Sequence, residues 1–264
     1  GKWLVETVQP DIILLSTPHG IKLNNDFGIY MSEKGKGYAT IGVDLHDNST
    51  TSKTYNVSLE IDMDLDLSQN LLSSLNNENV SGIYSYNDEI AMPLNWGEII
   101  PLLLLPVTKR ETYNKHMILS HPERRYDFSR NMVPELLRLG QKMAAWAEEQ
   151  SERIAIIVSG DLSHTHQEEG PYGYSNTSAP FDKAIGRWAL NPYHNADSLL
   201  ETARNFQPHA LSCGFTGYVL WHGMMMGSEM MQRMQSAVLA NLNVTYYGMI
   251  AATFGSTSIN AMEQ

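Results

Sequence analysis

Two short apolar runs constrain this chain more than any other feature. Asp11 to Ser16 (Asp-Ile-Ile-Leu-Leu-Ser) and Ile154 to Val158 carry β-branched and apolar residues without alternation. That pattern suits strands buried on both faces, and such strands need helices over each side of their sheet. One is visible in the spacing: Met132, Leu136, Leu139, Met143 and Trp146 recur at three and four, which predicts a long surface helix over Ser129 to Gln150. Helices alternating with buried strands predict the α/β class, as a layered sandwich with a central mixed or parallel β-sheet flanked by helices. No internal repeat, Pro/Ser linker or low-complexity tract interrupts the chain, so residues 1–264 read as one domain.

The remaining elements follow from the same patterns. Tyr38 to Leu45 and Tyr55 to Met63 alternate, predicting strands with one solvated face, and Gly82 to Tyr86 reads as a further strand. Leu65 to Leu75 reads as a short helix, and Met92 to Glu98 as a polar-aromatic loop ahead of the apolar run Ile99 to Val107. Lys115 to Ser120 is another apolar run, ending at His121-Pro122. Phe181 to Leu190, Ala196 to Phe206 and Leu211 to roughly Met234 read as helical, and Val244 to Phe254 as a closing strand. Lys2 to Gln9 resembles the tail of an amphipathic helix feeding a strand, which suggests that something precedes it.

Composition removes several functions. Eighteen Lys and Arg stand against 29 Asp and Glu, a formal charge of −11, and no block of basic residues forms a stripe. Nucleic acid and anionic membrane are therefore poor partners. No run reaches the roughly 20 apolar residues of a membrane span, and Pro101 and Pro106 interrupt the longest candidate. The first residues carry no charged-then-apolar leader. A single cysteine, Cys213, excludes a disulfide framework and a Cys-rich zinc module and fits a reducing, cytoplasmic compartment. The sequons at Asn48, Asn56, Asn79, Asn176 and Asn243 fit either glycosylation of a secreted chain or, as the preferred reading, the chance yield of an Asn- and Ser-rich sequence.

Open α/β sheets bind ligands beyond the carboxyl ends of their strands. His19 follows Asp-Ile-Ile-Leu-Leu-Ser-Thr-Pro, and His164 follows Ile-Ala-Ile-Ile-Val-Ser-Gly-Asp-Leu-Ser, so both fall at that place. Imidazole can serve there as a neutral metal ligand or as a general base near pH 7, or it can simply bond loop backbone. Asp161, three residues before His164, either orients that ring or caps the turn. Cys213 with Gly214 opens a helix, where N–H groups and the macrodipole lower a thiol pKa. The competing reading of Cys213 is a small buried hydrophobe. Glu98 offers a carboxylate or a solvated loop acid. Lys22, Arg124, Arg125 and Arg130 are cations suited to a substrate carboxylate or to ordinary salt bridges. Tyr172 and Tyr174 line an entrance or pack as loop residues. His209, His222 and the methionines Met224, Met225, Met226, Met230, Met231 and Met234 read as structural, the last group filling core or a subunit interface.

Five segments in order resemble the class III extradiol ring-cleavage dioxygenases, the LigB-type superfamily that includes the Memo-like proteins. They are Gln-Pro-Asp-Ile-Ile-Leu-Leu-Ser-Thr-Pro-His-Gly (9–20), Pro-Leu-Asn-Trp-Gly-Glu-Ile-Ile-Pro-Leu (93–102), Ser-Gly-Asp-Leu-Ser-His (159–164), Gly-Pro-Tyr-Gly-Tyr (170–174) with Phe181-Asp182, and Ser-Cys-Gly (212–214). The resemblance implies a LigB-like fold and a non-haem Fe(II) held by two histidines and a carboxylate, acting on a catechol-like small aromatic and O2. It makes His19 a metal ligand and His164 the acid/base that takes a phenolic proton.

Three departures qualify that implication. The resemblance places the family's first metal histidine on a first strand, before a helix and the strand holding His19; the given sequence starts after that point, so the histidine is either upstream of it or lacking. Asn95-Trp96-Gly97 stands where many members have Asp-His-Gly, putting Trp96 in the pocket. Ser212-Cys213 replaces the expected carboxylate ligand, as in the Memo-like pattern, and a thiolate favours zinc or copper over iron. Asp161, Glu98 and Tyr172 then read as residues behind the ligands or along the pocket. The alternative is a catalytically degenerate accessory subunit, or a Memo-like protein that binds metal or ligand without ring cleavage. A homodimer or a heteromeric subunit fits either reading.

Overall fold

A computed structural model describes residues 4–43, 53–87, 89–105 and 115–255. The chain divides into two compact units, residues 1–122 with 151–157 and residues 123–150 with 158–264. Its elements are those of a mixed α/β protein with a central mixed sheet flanked by helices.

The first unit opens on a π-helical turn, Leu4–Val8. It contains β1 (Ile12–Thr17), β2 (Phe27–Met31), β3 (Lys34–Val43), β4 (Lys53–Asp62), α1 (Leu65–Ser74), β5 (Val80–Tyr84), β6 (Met92–Leu94), α2 (Trp96–Leu103), β7 (Lys115–Ser120) and β8 (Ile154–Val158). Five strands form one sheet in the order β5-β2-β7-β1-β8. β1 runs parallel to β7, while β2 runs parallel to β5 and antiparallel to β7. All six residues of β1 are buried, as its unalternating sequence requires. A second sheet, β4-β3-β6, packs Leu59, Ile61, Met92 and Leu94 with Ile13, Leu15 and Ile118 in one apolar core. Helix α1 starts where the Asp64 carboxylate accepts the Leu67 N–H at 2.9 Å.

The sequence patterns miss two elements here. Phe27–Met31 is a buried strand, too short and too fully apolar to alternate. The expected loop at 92–98 is instead strand β6 followed directly by α2, because Asn95 and Glu98 make a reciprocal capping box that starts a helix at Trp96. The carboxyl ends of the runs expected to reach Leu45 and Val107, and the Asn48 sequon, lie outside the described residues.

The second unit contains α3 (Arg125–Phe128), α4 (Val133–Glu148), α5 (Ser178–Leu190), a π-helical segment Ser198–Ala203 running into α6 (Arg204–Ala210), α7 (Phe215–Gly227), α8 (Glu229–Gln232), β9 (Gln235–Asn243) and β10 (Gly248–Gly255). Helix α4 buries Leu136, Leu139, Met143 and Trp146, the predicted stripe, and packs on α7. Every residue from Phe215 to Met225 in α7 is buried. The single helix expected over Leu211 to Met234 is interrupted at both ends. Leu211 adopts a left-handed backbone, φ 57°, that closes α6, and the chain leaves α7 after Gly227. Strands β9 and β10 pair antiparallel, so the closing strand expected from Val244 begins at Gly248, and its partner Gln235–Asn243 falls in a stretch to which the sequence patterns assign no element.

Candidate metal centre

The loop after β8 is shaped by its bonds to the α6–α7 junction. Gly160 takes φ +144°, a conformation that side chains resist, and a Cβ there would collide with Gly214. Its carbonyl accepts the Tyr218 hydroxyl at 2.9 Å. The Asp161 carbonyl accepts both the Ser212 hydroxyl (2.7 Å) and the Gly214 N–H (3.1 Å), and the Asp161 N–H donates to Cys213 Sγ at 3.0 Å. Three bonds thus hold Asp161 beside Cys213. One turn on, the His164 N–H donates to the Ala210 carbonyl at 2.8 Å, and His164 Nε2 lies 3.3 Å from Asp161 Oδ2.

Asp161, His164 and Cys213 each offer one donor atom, and the three lie within 4.8 Å of one another. A thiolate, an imidazole and a carboxylate at that separation fit a divalent transition-metal ion, with coordination positions left over for another ligand. Cys213 was expected as a metal ligand, His164 as the acid/base and Asp161 behind the ligands or along the pocket, and the structure brings donor atoms of all three together.

The expected activation of Cys213 is corrected. Although Gly214 caps α7, the thiol pKa is pushed up to about 12, first by burial and then by the Asp161 carboxylate. In the apoprotein these outweigh the N–H donated by Asp161 and the attraction of Arg125. Burial also pushes up the Tyr218 hydroxyl next to it.

Aromatic rings border His164. Tyr172 stacks on it at 5.4 Å between centroids and 19° between planes, and Tyr246 meets it edge-on at 6.3 Å. Tyr246 escaped the sequence reading, since it sits in the β9–β10 turn and no spacing ties it to His164. Tyr174 is exposed, on the short bridge with His166.

The first unit builds a different surrounding for His19. Its ring packs against Trp96, 4.6 Å between centroids. The His19 N–H donates to Thr17 Oγ1, which in turn donates to the Gly97 carbonyl. Glu98 is fully buried rather than a solvated loop acid. Its Oε2 accepts the Asn95 N–H and its Oε1 accepts the Tyr30 hydroxyl at 2.5 Å, while Tyr30 accepts the Ile21 N–H at 2.7 Å. Burial raises the Glu98 pKa against those bonds.

Of the cations, Arg124 pairs with Glu135 through bonds of 2.6 and 2.7 Å, Arg130 donates to Asn205, and the buried Arg125 lies over the Tyr126 ring at 3.9 Å. His222 is buried, and its Nδ1 accepts the Trp188 indole N–H. Met224, Met225 and Met231 are buried, as structural methionines would be.

Comparison with known proteins gives three findings. The family model described as the catalytic LigB subunit of aromatic ring-opening dioxygenase matches residues 1–254. Protein CA_C1420 of Clostridium acetobutylicum is 25% identical over 181 residues, which is 67% of this chain and 35% of that protein. The chain therefore spans about a third of that relative's length. The crystal structure of the uncharacterized protein JW3007 from Escherichia coli K12 superimposes with a TM-score of 0.56 at 14% identity, covering 92% of this chain and 86% of that one, a likeness of fold.

Proposed function

Because the chain belongs to the family of catalytic LigB subunits of aromatic ring-opening dioxygenases, we propose that it is a metal-dependent extradiol dioxygenase acting on a catechol-like small aromatic. The observation that carries this reading is the group of Asp161, His164 and Cys213 donors within 4.8 Å. Cys213 and Asp161 would hold the ion, Fe(II) by family precedent, with zinc or copper favoured by the thiolate. When bound, the ion supplies Lewis acidity toward a phenolic oxygen and brings the aromatic and O2 together.

The protein's own residues supply proton transfer and orientation. His164 is the acid/base, taking a phenolic proton on Nε2 and returning it during ring opening. Asp161 Oδ2, 3.3 Å from that nitrogen, fixes the direction of the ring. The fixed His164 backbone keeps the ring in place between turnovers, and Tyr172 and Tyr246 limit the approach of solvent to its faces. A reducing, cytoplasmic setting fits a thiol donor, and assembly as a homodimer or with a partner subunit is part of this reading.

A second reading follows from the same distances. If His164 is itself a ligand, no acid/base remains in this group, and the protein is a metal- or ligand-binding member without ring cleavage. Metal content and oxygen uptake of His164→Ala separate the two. Bound iron retained with catechol-dependent oxygen uptake lost at least 100-fold supports the dioxygenase. Metal lost together with His164, and no uptake by the iron-loaded parent across catechols and aminophenols, favours the binding protein. His19→Ala in the same assay reports whether that residue holds metal as well.

A further inference from the structure

Asp182, in the first turns of α5, takes no part in the donor group, yet it is buried and bonded at both oxygens. Oδ1 accepts the Ser163 N–H at 2.9 Å, and Oδ2 pairs with His166 Nε2 at 2.7 Å. These two partners stand on either side of His164. We propose that Asp182 is the positioning residue of the centre, one carboxylate fixing both flanks of His164 and so setting where its ring meets Asp161 and Cys213. This rests on the second reading of that group given above, a metal centre in which His164 is itself a ligand.

The rest of the loop shows why one residue can have that reach. Leu162 N–H donates to the Gly248 carbonyl (2.9 Å) and Gly248 N–H to the Ser163 carbonyl (2.8 Å), which ties the loop to the start of β10. The Ser163 hydroxyl donates to Ala210 and the His166 N–H to the Tyr246 carbonyl (3.0 Å). Thr165 accepts the Ser175 N–H on its carbonyl and shares a bond of 2.7 Å with the Ser178 hydroxyl. Of these anchors, Asp182 alone reaches residues on both sides of His164 with one side chain. Gly248 is also fitted to it, because a Cβ at that position would collide with Asp182 Oδ2. Residues that orient ligands from behind commonly change metal affinity by roughly 10- to 100-fold when removed.

The test uses the full chain and Co(II), whose visible spectrum reports thiolate ligation, beside amide exchange of the metal-free protein. In Asp182→Ala the Ser163 amide should lose at least 10-fold in protection while the α4 and α7 amides keep theirs, and Co(II) affinity should fall about 10- to 100-fold. Asp182→Asn can accept from Ser163 and donate to His166, so it should restore both readouts to within about threefold. His166→Phe, which removes one tether only, should show a smaller fall in affinity and decides the matter if Asp182→Ala does not fold. Unchanged affinity and exchange in a folded Asp182→Ala or His166→Phe overturns the proposal. So does an equal loss in Asp182→Ala and Asp182→Asn accompanied by global loss of protection, which marks a general stability effect. If the parent protein takes up no Co(II), the metal reading fails, and the Ser163 amide still decides whether Asp182 fixes the loop.

Discussion

His19 and His164 both follow a core strand, and each unit holds its histidine loop with a buried carboxylate from a helix. In the first unit Glu98 of α2 acts indirectly, through the Tyr30 hydroxyl that accepts the Ile21 N–H. In the second, Asp182 of α5 bonds the loop itself, at Ser163 and His166. Each loop also meets a glycine with no room for a Cβ, Gly97 against His19 and Gly248 against Asp182. The difference lies in what surrounds the ring. His164 faces a carboxylate and a thiol, whereas His19 packs against an indole. A buried carboxylate behind a strand-end loop is therefore a way of fixing a histidine, and the chemistry is set by the neighbours of the ring.

Two buried groups, one in each unit, should respond to acid with opposite sign. His222 in α7 is held neutral, its pKa lowered by burial to about 4 from an ordinary 6.5. Above pH 6.5 it is neutral folded or unfolded and contributes nothing to the difference. Below that the unfolded chain takes a proton that the folded one refuses, so stability falls with pH until the folded group titrates near 4. By linkage the loss is about 3 kcal/mol. Glu98 works the other way, since its raised pKa lets the folded protein bind a proton before the unfolded chain does as pH falls toward 4.5. Denaturant melts of the parent and His222→Asn from pH 7 to 4 check this. The variant keeps an acceptor for Trp188 and should lose less stability than the parent as pH falls from 6.5 to 4, and an unchanged slope would remove His222 as a contributor.

The glycines give the next largest effect and distinguish the two clamps. A Cβ on Gly97 would meet His19 backbone, with its carbonyl oxygen at 2.6 Å, whereas on Gly248 it would meet a side chain. Backbone cannot turn aside, so Gly97→Ala should cost about 3 kcal/mol and Gly248→Ala about 2 kcal/mol. Equilibrium unfolding in urea measures both. A larger cost at Gly248 would mean that the Asp182 carboxylate is held more rigidly than the His19 main chain.

Much of this was legible in the sequence because it depends on local pattern. The unalternating strand β1, the stripe of α4 and the placing of His19 and His164 just past strand ends all follow from residue spacing. The clamps were not legible. Glu98 reads as a solvated acid until Tyr30, 68 residues away, is known to lie against it, and strand β2 carrying Tyr30 was itself missed. Cys213 misled for a related reason. The helix start was foreseen correctly, but burial and the Asp161 charge arise from a loop 52 residues away and reverse the expected pKa direction. Tyr246 likewise reaches His164 only through the pairing of β9 with β10.

Removing one hydroxyl sharpens the contrast between indirect and direct clamping. Tyr30→Phe deletes the acceptor of the Ile21 N–H and leaves Glu98 Oε1 without its donor in a buried site. The expected cost is about 2 kcal/mol, with amide exchange at Ile21 rising while Ser163 is unaffected. An equal rise at both amides would show that the two loops do not loosen separately.

The smallest stability effects belong to the aromatic rings over the two histidines, and they separate packing from function. Trp96 is 54% exposed and Tyr172 55% exposed, so neither fills core. Trp96→Ala and Tyr172→Ala should each cost no more than about 1 kcal/mol, the worth of an aromatic contact. If Tyr172 only shields the His164 ring, Tyr172→Phe preserves the stacking and every property of the parent. If it borders the place where an aromatic substrate lies, Tyr172→Ala should raise KM for a catechol about 10-fold with kcat changed less, because a contact equal in ground and transition states alters binding alone. An effect confined to kcat would instead show that the ring orients His164 during proton transfer, and Trp96→Ala measured beside it tells whether the indole over His19 has any part in the same reaction.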